Sequence, residues 1–141
     1  MGNRFFLVSA IAFVLCAEAH AQGKPANGQV QFSRRCTSCH SVVFGQNQIG
    51  PYLFGVVGRP SGTAVNYSYS VSYTQSGERG LVWGQAELHD FLANPSEFLK
   101  AYLQQKNVQT RMTVRTPDKQ ARLDIIAYLA TLTSPVPPGT R

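Results

Sequence analysis

Cys36-Thr37-Ser38-Cys39-His40 is the cluster whose residue types and spacing could do chemistry most directly. Two thiols separated by two residues and followed at once by an imidazole form the Cys-x-x-Cys-His pattern of covalent haem attachment. The spacing has a mechanical reason. On a helix, residues three apart are neighbours on one face, so both thiols can meet the two vinyl groups of one haem and form thioethers. His40 follows directly and can turn its imidazole to the iron. Other uses of the thiols need a context that the chain lacks. A disulfide across two intervening residues closes a tiny loop and adds little as a staple. A thioredoxin-like Cys-x-x-Cys needs a βαβ setting, and strand and helix patterns do not alternate here. Structural zinc needs four ligands, and His89, the other histidine downstream, is far along the chain.

Residues 1–21 set the compartment. Arg4 is a positive start, Phe5 to Ala17 is apolar apart from Ser9, and Ala19-His20-Ala21 fits the small-x-small cleavage pattern. The segment reads as a secretory signal cut after Ala21. A membrane anchor is the alternative, but this apolar run is short against about 30 Å of hydrocarbon. Lipid attachment at Cys16 would want a small residue where Leu15 stands. Cleavage removes Met1, Cys16 and His20, leaving Cys36, Cys39, His40, His89 and Met112 as the cysteines, histidines and methionine of residues 22–141. It also removes one basic and one acidic residue, Arg4 and Glu18, so the net charge of +6 is unchanged. No second membrane segment is present in the sequence, and a soluble, periplasmic product is expected.

Met112, in Thr110-Arg111-Met112, is placed to supply the sixth ligand of an iron. A solitary methionine is ordinarily a gap-filler in a core, but this one lies outside any convincing amphipathic helix. His89, between Leu88 and Asp90 in a helical stretch, is the rival ligand, and an open or exchangeable position is the third reading.

These side chains need elements to hold them. The chain has 141 residues, 43% hydrophobic and 14% charged, a composition that fits one small globular domain and argues against disorder. A first helix is expected from Ala26 to Ser38. Residues 41–82 are rich in Gly, Ser, Tyr and Val; strands at Val56-Val57 or from Tyr67 to Tyr73 are conceivable, but the glycines and prolines favour turns and a short helix. A helix is expected from Gln85 to Asn94. A capping box should start the next, with Asn94 as N-cap, Pro95 at N1 and Glu97 at N3. The last helix should open with Thr116 as cap and Pro117 at N1, with Asp118 favourable near its N-terminus, and carries Leu123, Ile126, Ala127 and Ala130 at helical spacing. Residues 133–141, with three prolines and a glycine, read as a flexible tail.

With these pieces in order, the chain resembles the class I cytochromes c from about Asn27 to Leu132. Gly28 and Phe32 precede the Cys36-to-His40 motif. Gly50-Pro51-Tyr52-Leu53-Phe54-Gly55 follows, then Arg59, Tyr67-Ser68-Tyr69, Trp83, Asn94-Pro95, Thr110-Arg111-Met112 and Arg122 to Leu129. The resemblance implies an all-α cytochrome c fold, residues 22–132, with three to five helices and long loops wrapped around one covalently bound haem c. It implies His40 and Met112 as iron ligands and the Pro51 carbonyl as acceptor for the proximal histidine. Arg59, Tyr69 and Trp83 match positions around the haem propionates, and Thr110 a residue that bonds a propionate. Phe32, with Gly28, and Tyr128 match a contact between first and last helices. Three departures stand out. Phe91 replaces a frequent Tyr whose hydroxyl reaches the methionine sulfur, Val114 replaces a frequent Phe at the haem edge, and the stretch from Pro95 to Met112 is longer than the usual loop.

The expected function is transport of single electrons between redox partners by a monomer, without enzymatic activity. A labile Met112 would instead give a ligand-binding or peroxidatic haem protein. A dedicated electron-transfer subunit of a periplasmic dehydrogenase complex is the other alternative. The basic balance points to partners with acidic docking surfaces, met by Arg34 and Arg35. Nucleic acid is not expected, since no recognition element accompanies the charge, and neither is stable membrane insertion.

Overall fold

A computed structural model describes residues 22–133. The signal segment and residues 134–141 of the expected tail lie outside the described residues. Five helices follow one another: α1 (Pro25–Arg35), α2 (Val71–Glu78), α3 (Gln85–Ala93), α4 (Pro95–Leu103) and α5 (Lys119–Thr131). Among the described residues there is no strand, only an isolated antiparallel bridge between Pro60 and Val82, and no helix is long and apolar enough to cross a membrane. The all-α expectation holds. The stretch 41–82 is turns plus α2, as its glycines and prolines favour.

α1 opens with Pro25, whose missing N–H is no loss in a first turn, and ends on Arg34 and Arg35, whose charges suit the negative end of the dipole. It stops short of the expected Ser38. The Ser33 carbonyl accepts the Thr37 hydroxyl (2.8 Å) rather than a backbone N–H. One further turn still forms, with the His40 and Cys39 N–H groups both donating to the Cys36 carbonyl (2.8 and 3.0 Å). The two thiols are therefore carried on a helical turn just past α1.

α3 buries Leu88, Phe91 and Leu92, and α4 buries Pro95, Leu99 and Leu103, one stripe each at helical spacing. Asn94 caps α4 as expected, its side chain accepting from the Glu97 N–H at 3.3 Å. The Glu97 carboxylate pairs with Lys100 (2.9 Å) in place of the return bond to Asn94. The cap of α5 corrects the sequence reading. Asp118, not Thr116, is the N-cap, accepting from the Ala121 N–H at 2.6 Å. Thr116 is buried; its N–H donates to the Leu92 carbonyl (2.8 Å), and its own carbonyl accepts from Arg122 (2.8 Å). It ties the approach to α5 onto the end of α3.

The central joint is α1 against α5. The Phe32 and Tyr128 rings meet at 5.5 Å. A Cβ on Gly28 would overlap the Asp124 carbonyl, and one on Gly23 the Leu123 carbonyl; only glycine lets these backbones approach so closely. Gly23 has no counterpart in the sequence reading. The Asp124 side chain locks the joint, accepting from the Lys24 N–H (2.7 Å) and from Gln120 (2.9 Å). Desolvation raises the carboxyl pKa, but those donors, with Asn27 and the Lys24 charge, outweigh it and hold it below the ordinary value. A depressed carboxyl stabilises the fold above its unfolded pKa of about 3.9 and loses that contribution as pH falls through the folded value. Asp124→Asn is expected to cost about 1–2 kcal/mol at pH 7, with the gap to wild type narrowing below about pH 4. Urea unfolding at pH 7 and pH 3 measures both.

Candidate functional site

One cleft collects the sequence-predicted chemistry. Cys36 and Cys39 line it from the turn after α1, and His40 from the start of the following loop. Met112 lines it from the segment leading into α5. Its walls are the apolar faces of the helices, with Phe32 from α1, Leu88, Phe91 and Leu92 from α3, and Ile125 and Leu129 from α5, joined by Leu53, Val56 and Trp83. Apart from Leu53, which is partly buried and packs against them, those same residues are core members, so the cleft and the hydrophobic core share a wall.

His40 is set from two sides. Its Nδ1 lies 2.7 Å from the Pro51 carbonyl oxygen. A carbonyl can only accept, so Nδ1 carries the proton and Nε2 keeps its lone pair for a ligand. Burial holds the imidazole pKa below its usual value, partly offset by the Pro51 bond, so the ring is neutral, the form that binds metal. Gly50 closes the other side, where a Cβ would collide with the His40 ring. The two cysteines are free thiols, not joined in a disulfide. Burial pushes the Cys36 thiol up to about 11, against the pull of Arg35 and with a small push from Cys39. A thiol so protonated is a poor exchange nucleophile.

The remaining predicted residues divide. Arg59 reaches the cleft, with its guanidinium donating to the Tyr52 carbonyl (2.9 Å) and the Phe54 carbonyl (3.3 Å) and lying over the Tyr52 ring. Two of its five donors are thereby used. Tyr69 lines the cleft, and its hydroxyl accepts from the Ala64 N–H (3.3 Å). Trp83 is buried against Phe91, ring centroids 4.8 Å apart. Thr110 is not brought to the cleft wall. Its hydroxyl shares a 2.7 Å hydrogen bond with that of Tyr73 and accepts from the Met112 N–H at 3.2 Å. His89, the rival ligand, lies away from the cleft beside Asp90 (3.2 Å). Val114 sits at the edge, 42% exposed. Arg35 and Arg111 line the mouth, whereas Arg34 is on the exposed face of α1.

Sequence reasoning missed Tyr73. Its ring lines the cleft between Tyr69 (5.9 Å) and Phe91 (6.2 Å). The available signal was the hydroxyl-rich start of a helix, Ser70-Val71-Ser72-Tyr73.

The donor set decides what such a cleft can take. Among the described residues no group of three or more His, Cys, Asp or Glu could hold a bare metal ion. One imidazole, one thioether and two thiols around apolar walls instead fit a large, flat, apolar group that carries its own iron.

No family model matches the chain. Individual proteins do. A cytochrome c2 from Rhodopseudomonas palustris is 43% identical over 113 residues, covering 76% of this chain and 96% of that protein. Cytochrome c2 iso-2 of Rhodospirillum centenum is 37% identical over 114 residues, covering 76% and 93%. Among solved structures, cytochrome c2 from Rhodospirillum centenum superposes with a TM-score of 0.75 at 35% identity, over 79% of this chain and all of that one. The ferricytochrome c2 of Rhodopseudomonas palustris gives 0.71 at 40% identity, over 77% and 98%.

Proposed function

The chain belongs to the class I cytochromes c, and from that premise we propose that it carries single electrons through one haem c attached at Cys36 and Cys39 and ligated by His40 and Met112. The observation that carries this reading is the convergence of all four side chains on one apolar cleft, with His40 fixed by Pro51. Bound there, the haem iron supplies one-electron exchange between its ferric and ferrous states, and a thioether ligand favours the ferrous one. The chain's own residues do the rest. Pro51 holds the imidazole tautomer and raises its basicity. Phe32, Leu88, Phe91, Leu92, Ile125 and Leu129 keep water out, which limits the reorganisation that accompanies a change of charge. Arg59, Tyr69 and Trp83 are read as the donors nearest the propionates, using the guanidinium, hydroxyl and indole protons that remain. Thr110, matched to a propionate-binding position, also supports the Met112 segment through the bond it accepts from the Met112 N–H.

The protein is read as a carrier between redox proteins rather than an enzyme, exported to the periplasm after cleavage behind Ala21. Arg35 and Arg111 at the cleft mouth support docking on acidic partner surfaces, and association should weaken with salt.

The test is optical. Ferric wild type is expected to show the weak far-red iron–sulfur charge-transfer band, and Met112→Ala to lose it. The reduction potential should then fall by on the order of 0.2 V, within the roughly 0.8 V range that axial ligands span. A wild type without the band at neutral pH would sink the Met112 assignment.

A further inference from the structure

The segment before Met112 is pinned at consecutive residues. The Gln109 peptide is held on both sides by serines from the start of α2. The Ser70 hydroxyl donates to the Gln109 carbonyl at 2.5 Å, and the Gln109 N–H donates to the Ser72 hydroxyl at 2.8 Å. The next residue, Thr110, is held by the Tyr73 hydroxyl at 2.7 Å. Thr110 in turn accepts from the Met112 N–H, so the tether ends on the backbone of the proposed ligand.

Ser70 makes the arrangement more than incidental packing. It is the N-cap residue of α2 but makes no capping hydrogen bond. A serine cap ordinarily stabilises the helix it opens. Here the hydroxyl forgoes that local bond for a partner 39 residues away. Ser72 is buried, 2% exposed, on the side facing the segment. Phe91, the core ring beside Tyr73, has no hydroxyl to offer, so Tyr73 brings the phenolic hydroxyl to this side of the cleft.

We propose that Ser70, Ser72 and Tyr73 form a hydroxyl clamp that keeps the Met112 segment closed and sets how readily the sixth iron position exchanges. The clamp rests on the reading of Met112 as ligand. These are positioning residues: they act on the segment, not on the iron. With the clamp closed, a carrier excludes small ligands; with it open, the same chain would bind them.

The test uses the intact haem protein and imidazole as the incoming ligand. Tyr73→Phe keeps the ring contacts and removes one hydroxyl. Ser70→Ala removes another, and Ser70→Thr restores it. Each hydroxyl lost is expected to raise the ferric protein's apparent affinity for imidazole about fivefold, the population change one ordinary hydrogen bond commands, with Ser70→Thr returning to the wild-type value. In a Met112→Ala background the same substitutions should change imidazole affinity little, since no thioether remains to displace. The Gln109 amide supplies a second readout. In Tyr73→Phe and Ser70→Ala its own partner, Ser72, is intact, so faster hydrogen exchange there reports opening of the segment. Wild-type imidazole affinity and exchange in both variants, with the charge-transfer band present, overturn the clamp. Absence of the band in wild type overturns the Met112 reading instead, and the Gln109 exchange rates still decide whether the hydroxyls hold the segment.

Discussion

A Cys36→Ala, Cys39→Ala variant is expected to lose most of its helical signal in far-ultraviolet circular dichroism and to show no cooperative thermal transition. The reason lies in the shared wall of core and cleft. Phe32, Leu88, Phe91, Leu92, Ile125 and Leu129 are core residues and cleft lining at once. Burying one such side chain stabilises a fold by about 1.5–3 kcal/mol, whereas a whole domain is stable by only about 5–15 kcal/mol. Without an attached haem, the apolar cleft they wall would lose the packing contacts made across it. The helices cannot compensate alone. They run from 8 to 13 residues, at or below the length at which isolated helices persist in water. Near-native helix content in the double variant would show that the polypeptide core suffices, and would remove the cofactor from the account of folding.

Gly28→Ala carries the second large effect, and its sign is a contest between two magnitudes. In an exposed helix interior, replacing Gly by Ala stabilises by up to about 1 kcal/mol. At position 28 the added methyl would overlap the Asp124 carbonyl and come within 2.8 Å of the Tyr128 Cβ. The atom it meets is backbone on α5, which cannot rotate away, so α1 must move and the Phe32–Tyr128 contact with it. Overpacking of this kind costs about 1–3 kcal/mol, occasionally more, and at the upper end of that range, where immovable backbone is met, the net expectation is a loss of about 2 kcal/mol, or roughly 5–10 °C in melting temperature. Val30→Ala, on the same helix at a side chain 48% exposed, should change stability by less than about 0.5 kcal/mol. Equal effects from the two substitutions would mean that the close approach of α1 and α5 is not a determinant of stability.

The two predictions draw on different layers of information. The attachment motif is legible in the chain because its five residues are contiguous, and their chemistry follows from types and spacing. Helix existence was legible for the same local reason: Asn94-Pro95 at a boundary, and apolar residues at helical spacing in α3 and α4. The α5 cap was not, because Thr116 and Asp118 are both good N-caps by type. The choice fell to Asp118 once Thr116 was drawn against Leu92 and Arg122.

By itself, the sequence determined the thiol pair and the adjacent imidazole, one methionine as the available thioether, the helical class and the basic balance. Only the tertiary structure decided that Thr110 turns to Tyr73, that Ser70 leaves its own helix uncapped, and that His89 stays outside the cleft. The physical reason is separation along the chain. A hydroxyl carries no mark of its partner, and the bonds that pin the Met112 segment join residues 37 and 39 positions apart, which only packing of α2 beside that segment brings into reach.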